Sequence, residues 1–279
     1  MTKLDPEFIF SQQSLADFAD CPRRFYLRYV QRQPWPQLEA APEEFDVPAY
    51  RDYLRKGAAF HRWVERHWLG LPAADGATAA DLAADAEFAL WWRRFEVENF
   101  SALPVTRIPE LEVLAPLGEF ALTARFDLLA VDEVSGRAVV VDWKTMRGER
   151  AMRSDFLRER VQTRVYLYAL AMAGGPYRGE VDGPPGCEFH YWMANAPGDR
   201  WVRFVYDLAS FERDRAYLTS LSVDAAARDG EAEFEMTDDQ RRCATCMYRT
   251  LCRRSDAQMH AAEWVDDDQE FESAETLEY

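Results

Sequence analysis

The sequence lacks an apolar run long enough to cross a lipid bilayer, and its first residues show no signal-peptide pattern. It also lacks a basic excess, because the formal net charge of its 279 residues is −16. This balance argues against simple nonspecific binding of nucleic acid by the chain as a whole. We therefore expect a cytoplasmic protein with no membrane partner. In that compartment the five cysteines should not form disulfides, and their spacing bears on metal or cluster binding.

The charge is unevenly distributed along the chain. Residues 263–279 contain eight acidic residues and no basic one, so half of the net charge lies there. Basic residues are clustered in three segments, the arginines of 23–28, 147–164 and 241–254. A local basic patch can bind a polyanion even on an acidic protein, although a single arginine run is more often a solvated helix face.

Composition and periodicity favour one large globular core, since 48% of the residues are hydrophobic and 14% are aromatic. The predicted order is helices, three strands, a helix, two strands and a helix, which indicates an α/β (α+β) fold with a mixed central β-sheet flanked by helices. The predicted parts are an N-terminal helical part (1–104), a core (105–235), a cysteine region (236–262) and an acidic tail (263–279), which we expect to be disordered.

Helical periodicity and capping signals predict five helical stretches. They are a helix capped by Ser11 with a break at Cys21-Pro22, then Tyr50 to Leu69, Asp81 to Phe100, Arg153 to Ala173, and Ser210 to Arg228 capped by Ser210. Strands are predicted from Arg107 onwards, within the segment from Phe120 to Met146, from Cys187 to Met193 and from Arg200 to Tyr206.

The segment from Phe120 to Met146 has the pattern of a β-hairpin, with two apolar runs around a polar break. Asp127 and Asp142 are equidistant from a turn centred after Val134. A symmetric hairpin places these two carboxylates opposite each other, roughly 5 Å apart at Cβ. Asp142 and Lys144 are two residues apart and share one face of the strand.

Opposed carboxylates destabilise a sheet, and a hard divalent cation with oxygen ligands compensates them. The alternative is that Asp127 is a strand-end residue and Lys144 a surface lysine paired with Asp142. For the three residues together the sequence favours a metal site. Gly57, His61 and Glu65 recur every four residues on one helix face, although His61 taken alone is better explained as a partner of Glu65. Gln162 and Tyr166 likewise lie one turn apart on a helix.

The last third of the chain contains a run of cysteines, Cys243, Cys246 and Cys252. This supplies three ligands, while a tetrahedral metal or a cubane iron–sulfur cluster needs four. His260 and Cys187 are candidates for the fourth, but Cys187 lies in an apolar strand and is well explained as a buried hydrophobe. We favour Cys21, which would join the two ends of the chain. Spacing alone leaves structural zinc as the alternative to a cluster.

Taken together, these motifs resemble the PD-(D/E)xK nuclease superfamily, in particular its RecB-like branch with an iron–sulfur cluster. The pattern is similar to CRISPR-associated RecB-like exonucleases and to the nuclease domains of AddB-type recombination subunits. The matching motifs are, in order, a serine-led helix ending in Cys-Pro-x-x-Phe (11–25), Gly57-x-x-x-His61, Asp127, Asp142-Trp143-Lys144, Gln162-x-x-x-Tyr166 and the terminal cysteines. Each motif is weak alone, and six in the right order are specific.

The resemblance implies a restriction-endonuclease-like core that binds Mg²⁺ or Mn²⁺ through His61, Asp127 and Asp142, with the Trp143 carbonyl as a further ligand. Lys144 would assist the attacking water, so Lys144, Asp127 and Asp142 would be the catalytic residues. Gln162 and Tyr166 would contact DNA. A [4Fe–4S] cluster would be held by four thiolates, those of Cys21, Cys243, Cys246 and Cys252.

The implied activity is that of a metal-dependent DNA nuclease, an exonuclease trimming single-stranded DNA ends in CRISPR-type defence or DNA repair. An integrase or a helicase is the kind of protein partner expected. The alternative is a non-catalytic iron–sulfur module that binds DNA or a partner in a defence or recombination complex. The acidic tail has no counterpart in the family pattern; a solubilising segment is favoured over partner docking or DNA mimicry.

Overall fold

Six strands form one mixed sheet in the computed structural model, which describes residues 3–33, 48–72, 84–145, 153–178, 183–243 and 246–254. The strands are β1 (Ile9–Ser11), β2 (Thr106–Leu117), β3 (Phe120–Asp132), β4 (Arg137–Lys144), β5 (Cys187–Met193) and β6 (Trp201–Val205). The β2–β3, β3–β4 and β5–β6 pairs are antiparallel, while β1–β3 and β4–β5 are parallel. The predicted mixed α/β architecture is confirmed.

Helices flank this sheet. They are α1 (Gln12–Asp20), α2 (Pro22–Phe25), α3 (Pro48–Trp68), α4 (Ala86–Glu96), α5 (Ser154–Glu159), α6 (Val161–Ala173) and α7 (Leu208–Ala227), and a π-helical turn covers Tyr26–Val30. Among the described helices, none combines the length and apolar character that crossing a membrane requires. Two buried clusters form the core, one containing residues of α1 and α6, the other residues of α3 and α4.

The N-terminal helices begin and end where the sequence predicts. Ser11 and Ser14 form a capping box, in which each side-chain oxygen accepts a hydrogen bond from the other residue's backbone N–H, at 3.1 and 2.8 Å. Cys21 is extended and ends α1, and Pro22 opens α2 at a position where its missing N–H costs nothing. The sequence did not predict β1, whose three residues pair in parallel with 121–123 of β3.

The hairpin register follows the predicted symmetry. Ladder pairs run from Asp132 with Arg137 to Leu128 with Val141, so the next position along brings Asp127 and Asp142 opposite each other. The prediction succeeds because a short turn between two apolar runs fixes the register locally.

Three predicted helices differ from the structure. The stretch from Arg153 to Ala173 is two helices rather than one, because the backbone of Arg160 is extended and the Thr163 hydroxyl donates to the Leu157 carbonyl at 2.6 Å. The last helix is capped by Asp207 rather than Ser210, whose backbone N–H donates to the Asp207 carboxylate at 2.7 Å. The helix predicted from Asp81 to Phe100 is shorter in the described residues, where Asp85 caps it before Ala86 and it ends at Glu96; residues 73–83 lie outside the described residues.

Of the predicted parts, the acidic tail (263–279) and His260 lie outside the described residues. The division of the remainder at 104 and 235 stays a prediction. Across the first of these boundaries, β1 pairs with β3. Across the second, Arg23 donates through Nε to the Phe234 carbonyl at 2.8 Å, and its backbone N–H donates to the Glu235 carbonyl at 3.1 Å. The early helices therefore belong structurally to the same body as the sheet.

Candidate functional site

The sheet forks at the position of the predicted acids. Strand β2 pairs with β3 along almost its whole length, so β1 and β4 share the other edge of β3. There β1 pairs with residues 121–123 and β4 with residues 128–132. In the described part of the sheet, residues 124–127 thus have no ladder partner on that edge. A gap where neighbouring strands diverge is a common position for a ligand site, because backbone and side-chain groups become accessible there.

Asp127 lies at this fork and contacts two other elements. Its Oδ2 accepts a hydrogen bond from the backbone N–H of Trp143 at 2.9 Å. The same oxygen is 3.3 Å from Nδ1 of His61, which helix α3 brings from outside the sheet. His61 keeps 29% of its side chain exposed, so this pair is reachable from solvent. The structure therefore pairs His61 with Asp127 and not with Glu65.

Asp142 has different partners and is fully buried. Its Oδ2 is 3.2 Å from the Lys144 ammonium, as their shared strand face predicts. Its Oδ1 accepts a hydrogen bond from Nε2 of Gln162 at 3.0 Å. Lys144 is only 3% exposed, and this excludes the alternative that it is a surface lysine. A buried ammonium beside a buried carboxylate is costly to hold unless the groups are paired, and this arrangement is typical of functional sites.

The charges of these four residues are mutually dependent. Burial lowers the pKa of His61, but the charge and hydrogen bond of Asp127 outweigh it and raise the pKa to about 9. Burial raises the pKa of Asp127, but His61 and the Trp143 N–H together bring it below its usual range. The charges of Asp142 and Lys144 also act on His61. All four groups thus lie in one electrostatic neighbourhood.

Gly57 explains how α3 approaches the end of β4. A Cβ atom at this position would lie 3.3 Å from Oγ1 of Thr145, closer than ordinary van der Waals contact. Glycine lets the helix come near the strand end one turn before His61. The Gly57-x-x-x-His61 spacing therefore has a steric basis: the first residue permits the approach and the second contacts Asp127.

The described residues at the fork do not form a preassembled metal-binding site. Among the described residues, no three His, Cys, Asp or Glu side chains are grouped closely enough to hold a metal ion. The reason lies in the contacts, since Asp127 is turned to His61 and Trp143, and Asp142 to Lys144 and Gln162. The residue types fit a hard cation, because they provide two carboxylates and an imidazole at the fork.

One residue at the fork was not predicted. Glu110 has a positive φ of 49°, and the β2–β3 ladder is interrupted at this position, opposite Asp127. Its carboxylate is 3.1 Å from Nε of Arg125. Burial and the neighbouring charge of Asp127 raise the pKa of Glu110 to about 8, and Glu65 adds to this rise. The sequence predicts a regular strand from Arg107 onwards and contains no signal for this distortion.

Gln162 and Tyr166 lie on α6 as predicted, and both are buried. The Gln162 amide contacts Asp142, and the Tyr166 ring packs edge-on against Phe126 at 5.4 Å and Phe189 at 5.6 Å between centroids. Their predicted contact with DNA is not tested by these geometries and stays a prediction. The same holds for the Trp143 carbonyl as a metal ligand.

A second group of predicted residues surrounds a cavity remote in sequence from the hairpin. Cys21, Cys243, Cys246 and Cys252 all line this cavity. Cys187 does not: it is buried in β5, with its sulfur 3.6 Å from the Gly183 carbonyl. The structure thus brings the four favoured thiols together and leaves Cys187 in the role of a buried hydrophobe.

The cavity favours an anionic occupant. Among the residues that the structure describes, the lining contains four arginines besides the cysteines, and no acidic side chain. These arginines are Arg24, Arg242, Arg249 and Arg254. Burial raises the pKa of the Cys246 thiol to about 11, against the opposing charge of Arg24, and also raises that of Cys252. A metal centre that binds there must therefore displace thiol protons.

The comparison with known families fits this geometry. Residues 9–253 match the family model of the PD-(D/E)XK nuclease superfamily, which covers most of the chain. The chain belongs to this superfamily. Nucleases of the superfamily generally use divalent metals.

Solved structures are similar at low sequence identity. SSO0001 is 15% identical over 88% of this chain and 86% of its own length, with a TM-score of 0.40. A phage-related exonuclease from Haemophilus somnus 129PT is 11% identical over 77% of this chain and 92% of its own, with a TM-score of 0.30. No curated protein matches the sequence.

Proposed function

We propose that this PD-(D/E)XK protein is a divalent-metal-dependent deoxyribonuclease that hydrolyses phosphodiester bonds. The observation that carries the proposal is the convergence of His61, Asp127, Asp142 and Lys144 at the fork of the sheet. A non-catalytic binding module is disfavoured because all four groups of the expected set are present.

In this proposal the chain's own residues bind the cation and position the reactants. Asp127 and Asp142, with His61 and the Trp143 carbonyl, hold Mg²⁺ or Mn²⁺. The bound ion supplies a water of lowered pKa and neutralises phosphoryl charge. Lys144, 3.2 Å from Asp142, orients the attacking water and stabilises the charge that develops on the phosphate. Gln162 fixes Asp142 from the α6 side, and DNA contact by Gln162 and Tyr166 remains part of the proposal.

We further propose a RecB-like enzyme that trims single-stranded DNA ends, acting in the cytoplasm in CRISPR-type defence or DNA repair beside an integrase or a helicase. The support is the order of six motifs, from Ser11 to Cys252, that resemble that branch. Single-stranded DNA offered in linear and circular form tests the exonuclease part. An exonuclease degrades the linear strand only, whereas cleavage of the circle shows endonuclease activity.

A [4Fe–4S] cluster held by Cys21, Cys243, Cys246 and Cys252 completes the proposal. Zinc–sulfur bonds of about 2.3 Å hold four sulfurs about 4 Å apart. Although the four thiols line one cavity, no three of them are within reach of a single ion among the described residues. Four cysteine thiolates are the usual ligand set of a four-iron cluster, and the lining supplies four thiols, with structural zinc as the alternative. Brown anaerobic protein with visible absorbance is expected, and a colourless zinc-loaded sample would contradict the cluster.

The decisive experiment compares two buried lysines. Lys144→Gln is expected to lower Mn²⁺-dependent cleavage of labelled single-stranded DNA by about 10²-fold or more, because the developing charge loses its ammonium. Lys56→Gln is the matched control, since Lys56 is also buried and paired with carboxylates, Asp52 and Asp85 at 2.9 Å each. The control is expected to lose stability and keep cleavage. Equal activity in Lys144→Gln and wild type, with both proteins folded, would reject the proposal.

A further inference from the structure

The arginines around the cysteine cavity are not equivalent. Arg24 is held by two carboxylates, with Nε 2.7 Å from Asp17 and Nη2 2.8 Å from Asp20. Arg242 also contacts Asp20 and, at 3.8 Å, Asp239. The positive charges of these two side chains are therefore largely balanced by the carboxylates that they contact.

Arg254 is oriented differently. Its Nη1 donates to the Thr237 carbonyl at 2.8 Å and to Sγ of Cys243 at 3.8 Å. One guanidinium nitrogen carries two hydrogens, so both bonds can form at once. None of the described residues gives Arg254 a carboxylate partner, and its side chain lines the cavity with the four cysteines. The guanidinium group of Arg254 thus points toward the cysteine side of the cavity, where it contacts Sγ of Cys243.

Four thiolates give their metal centre a net negative charge, which a buried cavity does not tolerate without compensation. Hydrogen bonds and cations next to ligand sulfurs stabilise the more negative, reduced form of an iron–sulfur cluster. Because its Nη1 contacts Cys243 and its guanidinium group lines the cavity, Arg254 is placed to exert both effects.

We propose that Arg254 compensates the thiolate charge of the centre held by the four cysteines, by donating an N–H to Cys243, and that it thereby raises the reduction potential of a [4Fe–4S] cluster. Arg254 is a positioning residue for the cluster and takes no part in DNA cleavage. This inference rests on the proposed cluster and is independent of the nuclease activity.

The test is a spectroelectrochemical titration of the full-length protein, purified anaerobically. Arg254→Gln is expected to shift the midpoint potential to a more negative value and to speed the loss of visible absorbance in excess EDTA severalfold. Arg254→Lys keeps the charge but not the planar fork, and an intermediate potential is expected. Arg253→Gln is the matched control: this neighbouring arginine is exposed, does not line the cavity, and should leave the potential unchanged.

The outcomes separate the two proposals. A potential and a loss rate in Arg254→Gln equal to wild type would overturn the role of Arg254 while the cluster stands. If Arg254→Gln fails to fold, the midpoint potential of Arg254→Lys is the test. A potential in Arg254→Lys equal to that of wild type overturns the inference. A colourless, zinc-loaded protein removes the cluster proposal. In that case, zinc affinity is measured by zinc release to a chromogenic chelator. Arg254→Gln is expected to bind zinc about 10- to 100-fold more weakly than wild type. Equal zinc affinity would reject the role of Arg254.

Discussion

At the residue scale, the hairpin shows which parts of the site are encoded locally. The opposition of Asp127 and Asp142 and the pairing of Lys144 with Asp142 follow from strand alternation around a short turn. Glu110 was missed because its contribution depends on a left-handed backbone conformation inside a strand. Such a distortion is stabilised by tertiary neighbours and leaves no mark on hydrophobic periodicity.

The close approach at Gly57 gives a prediction at the same scale. In an ordinary helix interior, glycine to alanine gains roughly 0.5–1 kcal/mol. Here Gly57→Ala is expected to gain less, because the new methyl meets Oγ1 of Thr145 at 3.3 Å. The full gain should appear only in the Thr145→Ala background. Urea unfolding of the two single variants and the double variant measures this coupling as a cycle. Additive effects, with the full gain in Gly57→Ala alone, would show that the contact imposes no restriction.

At the element scale, the sequence predicts some helix ends correctly and misses others. The Ser11 cap was found because the serine directly precedes a periodic helix. For the last helix the sequence predicts a cap at Ser210, whereas the structure has it three residues earlier, at Asp207. The break at Arg160 could not be predicted, since apolar periodicity continues across it and only the tertiary contacts of Thr163 reveal it.

Helix α4 offers a test of cap and charge separately. The Asp85 carboxylate accepts hydrogen bonds from the N–H groups of Glu87 and Phe88, at 3.0 and 2.9 Å, and lies 2.9 Å from Lys56. Asp85→Ala is expected to lower the free energy of unfolding by about 1 kcal/mol. Asp85→Asn keeps the cap and loses only the ion pair, so it should cost less in urea unfolding. Equal losses in the two variants would assign the effect to the charge.

The pH dependence of this cap has a definite sign. The Phe88 N–H and the Lys56 ammonium lower the pKa of Asp85 below its usual range. A carboxyl whose pKa is lowered in the folded state contributes stability above its ordinary value of about 4. That contribution is lost as the pH falls through the lowered pKa. The stability difference between wild type and Asp85→Ala should therefore be constant near neutral pH and shrink in acid, as urea titrations between pH 7 and pH 2 would show. If wild type and Asp85→Ala still differ by the same free energy of unfolding at pH 2, the ion pair and cap of Asp85 do not titrate as described.

At the scale of the whole molecule, the cavity joins the start of the chain to its last described residues. Cys21 lies between α1 and α2, and three cysteines of residues 243–252 meet it there. Sequence spacing identifies the three, and for the fourth the sequence favours Cys21 over Cys187 and His260. The fold brings Cys21 to them through contacts of its neighbours, since the Arg23 backbone N–H donates to the Glu235 carbonyl at 3.1 Å and Arg242 contacts Asp20.

This junction predicts a difference between two cysteine substitutions. Cys21→Ser is expected to lose the bound metal centre and to increase hydrogen exchange in residues 236–254, because a long loop is no longer closed. Cys187→Ser is the control, since Cys187 does not line the cavity and its loss should leave the metal content unchanged. Exchange mass spectrometry with iron and zinc analysis measures both. Metal loss in the Cys187 variant, with retention in the Cys21 variant, would refute the assignment.

The distance in sequence between Cys21 and its three partners also orders events during biosynthesis. The first thiol leaves the ribosome while more than two hundred residues of the chain are still to be translated, and translation of that remainder takes on the order of tens of seconds. A centre that requires all four sulfurs is completed only after Cys252 has emerged. Delivery of the proposed cluster would therefore follow translation of this whole segment, and ribosome-bound chains stopped before Cys243 would carry no colour.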